Sequence, residues 1–193
     1  MNNYKELIRQ YADFPKRGVV FQDINPLLSN WKALQESCED LAVEVQEIMP
    51  FSTKILCIEA RGFIIGGILA TLLDAGCVPV RKKGKLPPYK SVKTIDYDLE
   101  YGTNSLALDT SLLEYNDKMV ILDDVLATGG TAEAVYLLLK KEVEKGNLAP
   151  FETKNLCFAF LLEIDFLNGR ERLHQSTHIP KGNIVSLISA TAG

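Results

Sequence analysis

Residues 119–131 combine an apolar run, two adjacent carboxylates, a glycine-rich turn and the start of a helical pattern. The run 119–122 predicts a buried strand, and Asp123 and Asp124 follow it directly. Backbone N–H groups of the turn can converge on phosphate oxygens, and the helix N-terminus adds positive potential. Ionised carboxylates accept hydrogen bonds from vicinal hydroxyls. The pattern therefore predicts a site for a sugar phosphate.

Five consecutive residues form the predicted phosphate loop, which begins at Ala127. Gly129 and Gly130 permit positive φ and close approach of the backbone to a ligand. The hydroxyls of Thr128 and Thr131 can donate further hydrogen bonds. Two commoner phosphate loops do not fit, because no lysine follows the second glycine and the dinucleotide pattern G-x-G-x-x-G is absent.

This segment resembles the phosphoribosyl pyrophosphate (PRPP) loop of the type I phosphoribosyltransferases. Further segments, in the family's order and spacing, narrow the resemblance to adenine phosphoribosyltransferases: residues 13–28, 58–66, 80–87 and 99–102. The resemblance runs from about residue 4 to about residue 173. It implies an α/β fold, with a mostly parallel central sheet flanked by helices and a small N-terminal hood.

Members of that family transfer ribose 5-phosphate from PRPP to N9 of adenine, giving AMP and diphosphate in purine salvage. The resemblance implies Mg²⁺ as the cofactor, held mainly through PRPP, with Asp123 or Asp124 as candidate ligands through water. Hard oxygen ligands suit this ion, which keeps several waters when bound. The resemblance also implies a homodimer, because in related enzymes the basic loop can serve the neighbouring subunit.

Three basic residues are the candidate diphosphate ligands. Arg61 lies between an apolar strand and an apolar helix and can clamp a diphosphate bidentately. Arg81 and Lys85 belong to a dense basic cluster, which without the resemblance would be interpreted as a solvated face. We also expect a cis peptide bond between Glu59 and Ala60, because the resemblance implies one where the chain leaves the strand.

The resemblance makes Glu100 the acid–base group that handles the N7 proton of adenine while N9 attacks. It makes Tyr101 a residue that orients the phosphate. The alternative for Glu100 is an ordinary surface carboxylate paired with a lysine.

The adenine-binding residues are expected in the hood and the core. Val20 and Phe21 can hold a planar base, Phe21 by stacking. The resemblance implies that the backbone of Gln22 contacts the adenine edge and that Leu161 packs on the base from the core side. The sequence departs from the family at two positions, since Arg is usual where Gln22 stands and Ser is common where Ala60 stands.

Two alternatives remain. Hypoxanthine and guanine enzymes typically carry Asp at the position of Ala127, so the alanine favours adenine, although a related enzyme for xanthine or hypoxanthine is the main alternative. The other is a non-catalytic regulator that senses PRPP. It would need a nucleic-acid surface, which the net charge of −4 and pI near 5.3 oppose.

The 193 residues fit one domain, with a helix and hood in 1–30 and the α/β core in 31–193. The longest apolar stretch, 62–73, is shorter than the about 20 residues that span a bilayer. The N-terminus is polar, and Cys57 and Cys157 lie in apolar runs, which suggests buried thiols. We expect a cytoplasmic protein with no membrane or nucleic-acid partner.

The elements that must position these residues alternate between strands and helices. Helices are predicted at 3–12, 31–49, 62–74 and from 131, and strands at 55–58, 78–81, 119–122, 155–162 and 184–188. A mobile loop rimmed by short strands is predicted at 82–98. This alternation implies a mostly parallel sheet covered on both faces. Ligands bind at the carboxyl ends of the strands in such sheets, which is where the carboxylate pair falls.

Overall fold

The computed structural model describes residues 3–99 and 102–191. Its strands are β1 (Arg9–Ala12), β2 (Val20–Asp23), β3 (Lys54–Ile58), β4 (Gly76–Lys82), β5 (Val92–Leu99), β6 (Gly102–Asp109), β7 (Met119–Leu126), β8 (Leu156–Ile164) and β9 (Ile184–Ala190). Its α-helices are α1 (Asn25–Ser29), α2 (Trp31–Ile48), α3 (Gly62–Leu72), α4 (Gly130–Glu144) and α5 (Gly169–Thr177). No helix in these ranges is both long and apolar enough to cross a membrane.

Seven strands form one central sheet in the order β5-β6-β4-β3-β7-β8-β9. Strands β4, β3, β7, β8 and β9 are parallel to one another, whereas β6 is antiparallel to both β4 and β5. All nine residues of β8 are buried, as expected for a central strand covered on both faces. The α/β class and the mostly parallel sheet are confirmed.

The two faces of the sheet carry separate cores. Helices α1, α2 and α3 cover one face, where Leu41, Val45 and Leu69 are fully buried. Helices α4 and α5 cover the other, with Leu138 and Leu173 fully buried. Burying such side chains contributes about 1.5–3 kcal/mol each, so the two cores hold the strand ends in place for the site.

A two-stranded antiparallel sheet, β1 with β2, stands apart from the central sheet. A helix over 3–12 is therefore wrong, because only Asn3–Leu7 forms a short 3₁₀ helix before β1 begins. The loop expected at 82–98 is also wrong in extent, since β5 and β6 pair over eight residues each. Helix α5 was not predicted.

Candidate active site

A cavity of about 530 Å³ opens at the carboxyl ends of β3, β7 and β8. Its size lies within the usual range of small-molecule sites. It is lined by Gly18, Val19, Val20, Phe21, Gln22, Arg61, Asp123, Asp124, Val125, Ala127, Thr128, Ile164, Phe166 and Leu167. Eight of the sixteen site residues predicted from sequence thus surround one space.

The phosphate loop joins β7 to α4 at one end of the cavity. Strand β7 continues to Leu126, so the carboxylate pair lies inside the strand near its end, and not after it as the apolar run suggested. Gly129 has φ of +80° and precedes the first residue of α4. This left-handed turn starts a helix of 15 residues, whose positive end can attract an anion at the loop.

Among the described residues, the carboxylate pair has one ion-pair partner, the side chain of Arg61. Arg61 Nε lies 2.7 Å from Asp124 Oδ2, close enough for an ion pair, although the N–H is not aimed well enough for a hydrogen bond. Asp123 Oδ1 accepts a hydrogen bond of 2.9 Å from the Asp124 amide. Desolvation, followed by the charge of Asp124, raises the pKa of the Asp123 carboxyl well above its usual range. The open cavity leaves part of this side chain accessible, so an incoming ligand can reach it.

A second ion pair lies where β3 ends. Arg81 Nε donates to Glu59 Oε2 at 2.9 Å, and the amide of Lys82 donates to the same oxygen at 2.9 Å. The amide of Lys82 and the side chain of Arg81 lower the pKa of Glu59. The peptide bond between Glu59 and Ala60 is cis, which confirms that expectation.

Gly169, which was not predicted from sequence as a site residue, packs closely against the phosphate loop. A Cβ on Gly169 would lie 2.2 Å from the carbonyl oxygen of Ala127 and 2.8 Å from a methyl group of Leu126. The first turn of α5 therefore touches the loop backbone directly. Its neighbour Arg170 donates to both carboxylate oxygens of Glu163 at 3.1 Å, which ties α5 to the end of β8.

The hood supplies one wall of the cavity. Phe21 is partly buried and packs edge-to-face on Phe14, with ring centroids 5.2 Å apart. The Arg61 guanidinium lies over the Phe21 ring, 5.8 Å from its centroid. Gln22 is 5% exposed, and its Oε1 atom has no hydrogen-bond partner among the described residues.

The opposite wall comes from the end of β8 and the turn after it. Ile164, Phe166 and Leu167 line the cavity there, and none of them was predicted. Leu161 does not line it, because this residue is fully buried in the core three positions earlier in the same strand. A continuous apolar strand gives no sequence signal for the residue at which the wall begins.

The remaining predicted residues lie away from the cavity wall or outside the described chain. Gly129, Gly130 and Thr131 continue from the loop into α4. Arg81 and Lys85 do not line the cavity; Lys85 is exposed in the turn that follows β4. Glu100 and Tyr101, predicted as catalytic residues, lie outside the described residues.

Residues 28–145 match the phosphoribosyl transferase domain family. The fold and the site thus define a phosphoribosyltransferase, which is a glycosyltransferase enzyme.

Similar proteins and solved structures narrow the phosphoribosyltransferase class further. An adenine phosphoribosyltransferase of Thermosipho melanesiensis is 45% identical over 185 residues, covering 96% of this chain and 95% of the relative. The solved structure of the Giardia lamblia enzyme complexed with 9-deazaadenine has a TM-score of 0.82 and 34% identity, covering 97% and 96% of the two chains. That of the Rhodothermus marinus adenine phosphoribosyltransferase has a TM-score of 0.78 and 41% identity, covering 97% of each chain. The chain belongs to the adenine phosphoribosyltransferase family.

Proposed function

We propose that this protein transfers ribose 5-phosphate from PRPP to N9 of adenine, releasing diphosphate and forming AMP. The observation that carries the proposal is one cavity with two unlike ends. A carboxylate pair and a phosphate loop form the polar end, and the hood with the end of β8 forms an apolar end. A sugar phosphate fits the first end and a flat purine fits the second. Xanthine and hypoxanthine transfer are less favoured, since the relatives named above are adenine enzymes.

The polar end would bind PRPP. The loop from Ala127 to Thr131 would hold the 5-phosphate with backbone N–H groups and the α4 dipole. Asp123 and Asp124 would accept hydrogen bonds from the ribose hydroxyls. Arg61, which already lies at the cavity, would exchange Asp124 for the diphosphate as its partner.

The apolar end would bind the base. Val20 and Phe21 from the hood would face Ile164 and Phe166 across the purine plane. Positive charge develops at the anomeric carbon and negative charge on the departing diphosphate. In the proposed complex the carboxylates and Arg61 would each lie near the charge they can stabilise. Glu100 is proposed to handle the proton of the base, and Tyr101 to orient the phosphate.

Magnesium fits the donor set at the polar end. The two adjacent carboxylates offer hard oxygen ligands, but the described residues contain no group of three or more metal-ligating side chains. Such a pair suits an ion that takes its other ligands from water and substrate. Bound with PRPP, Mg²⁺ would neutralise charge on the leaving diphosphate, while Asp123 and Asp124 position the ribose.

The base preference tests the proposed reaction. We expect adenine to exceed hypoxanthine, guanine and xanthine by at least about tenfold in kcat/KM, which corresponds to ~1.4 kcal/mol in transition-state binding. The measurement is diphosphate release from PRPP and Mg²⁺ with each base in turn. Equal or faster turnover of hypoxanthine or xanthine would overturn the adenine assignment. Binding of nucleic acid without turnover of any base would favour a regulator.

We further propose a cytoplasmic homodimer in which residues 1–30 form the hood of a single domain. The observation behind the proposed dimer is the exposed face of helix α3, which carries a stripe of apolar and small residues. Ile64 and Leu72 are 46% and 43% exposed, and Gly67 between them has open space above it. A second copy of this chain is the partner that such a self-complementary face suits.

Sedimentation of the protein at micromolar concentration should give twice the chain mass of 21.5 kDa. Ile64→Glu should shift the protein to monomer, because a charge would be buried in the interface. Val43→Glu is the control, since Val43 on α2 is 56% exposed and outside the stripe. A wild-type monomer, or dissociation by both variants alike, would contradict the α3 interface.

A further inference from the structure

The Gln22 side chain is a buried polar group that the folded chain leaves unsatisfied. Gln22 is 5% exposed, and Oε1 accepts no hydrogen bond from the described residues. Buried amide oxygens nearly always have a partner, so an exception at a cavity points to a missing ligand or water. Among the described residues, the only other buried side-chain oxygen without a hydrogen bond is Asp124 Oδ2, and Arg61 compensates its charge.

The position of Gln22 in the cavity limits what its partner can be. Gln22 lies in β2 next to Phe21, and both residues line the cavity at its apolar end. The same cavity is lined by the side chains of Val20, Ile164 and Leu167, which offer no hydrogen bond. Arg61 also lies beside the hood, but it is paired with Asp124. A ligand beside the hood therefore finds one carboxamide oxygen that has no partner among the described residues. A flat ring with one exocyclic polar substituent matches that arrangement.

We propose that the Gln22 side chain binds the amino group at the six-position of the base, with Oε1 as acceptor. This inference rests on the proposed function and adds a side-chain contact to the backbone contact expected at this residue. Oε1 has almost no accessible surface, so the carboxamide must turn about its last side-chain bond to reach the base. That torsion is broad in glutamine, and the turn costs little. An arginine at this position could only donate, so it could not make this bond.

The contact makes Gln22 a specificity-determining residue. Adenine presents a donor at its six-position, whereas 6-methylpurine presents a methyl group of nearly the same size. The carboxamide oxygen distinguishes the two, because only the amino group satisfies it. Shape and stacking against Phe21 are the same for both bases.

The test compares these two ligands in matched variants. Gln22→Met keeps the length of the side chain and removes its hydrogen-bonding groups; Gln22→Leu is the second variant if the first folds poorly. Gln10→Leu is the control, since Gln10 is the cross-strand neighbour of Gln22 in β1 and is exposed. The readouts are KM for adenine and the inhibition constant of 6-methylpurine against adenine turnover, with thermal melting to confirm folding.

Gln22→Met should raise KM for adenine roughly 5-fold to 10-fold, the scale of one neutral hydrogen bond. The inhibition constant of 6-methylpurine should change by less than about twofold, because no polar contact is lost. Gln10→Leu should alter neither. A parallel loss for both ligands would mean that Gln22 only supports the hood, and an unchanged KM for adenine would also overturn the contact. Failure of the wild-type protein to turn over adenine would instead refute the proposed function.

Discussion

Glu100→Gln is expected to lower kcat by roughly 10²–10³, the usual effect of removing a general acid–base group. Glutamine keeps the shape and hydrogen-bonding reach of glutamate but cannot exchange a proton with the base. The dissociation constant of PRPP should change little, because its proposed ligands lie at the carboxylate pair and the phosphate loop. Steady-state kinetics with adenine and equilibrium binding of PRPP separate the two effects.

Glu47→Gln is the matched control, since Glu47 is exposed on α2 far from the strand ends of the site. It should retain wild-type kcat. The proton-transfer role of Glu100 would have to be abandoned if Glu100→Gln also kept a near-normal kcat.

Gly169→Ala is expected to weaken PRPP use by roughly 10-fold to 100-fold, which is the scale on which misplacement of about 1 Å acts. The added Cβ would meet the Ala127 carbonyl oxygen at 2.2 Å, so the phosphate loop or α5 must move. Overpacking of this kind also costs about 1–3 kcal/mol of stability, or roughly 2–4 °C in Tm for each kcal/mol. KM for PRPP and the melting temperature are the measurements.

Gly182→Ala provides the comparison, because a Cβ there meets no atom within 4 Å. It should change neither KM nor Tm appreciably. If Gly169→Ala lowered Tm but left KM for PRPP unchanged, α5 would serve the fold without positioning the loop.

The unit from β7 to α4 could be predicted because each part has a local signal. The apolar run, the two carboxylates and the glycine turn lie within thirteen consecutive residues, 119–131, and the helix after them has clear periodicity. Its role in the sheet follows from the alternation of strands and helices. Arg61 and Asp124 were each predicted as site residues, and they form an ion pair because β3 and β7 are parallel neighbours in the sheet.

The elements and site residues that were not predicted from sequence depend on contacts between residues far apart in the chain. Strand β1 is exposed at all four positions, so no alternation distinguishes it from the helix that was expected there. The Asn168-Gly169 pair is a turn signal, but nothing local shows that Gly169 will touch Ala127. Leu161 and Ile164 belong to one buried strand, and only Ile164 lines the cavity. Which of the two lies at the cavity depends on where the sheet ends, and the apolar run does not show this.

Because the pKa of Asp123 is raised, ligand binding at the carboxylate pair should depend on pH. In the free protein, burial and the neighbouring Asp124 charge favour the protonated carboxyl. In the proposed complex, ribose hydroxyls and a cation would favour the ionised form instead, so ligand binding would expel a proton from this side chain. We therefore expect PRPP to bind more tightly as the pH rises from the ordinary range of an aspartate toward the raised pKa of Asp123. Within that window the proton competes with the ligand for the same oxygens, and below it this side chain no longer changes the affinity with pH.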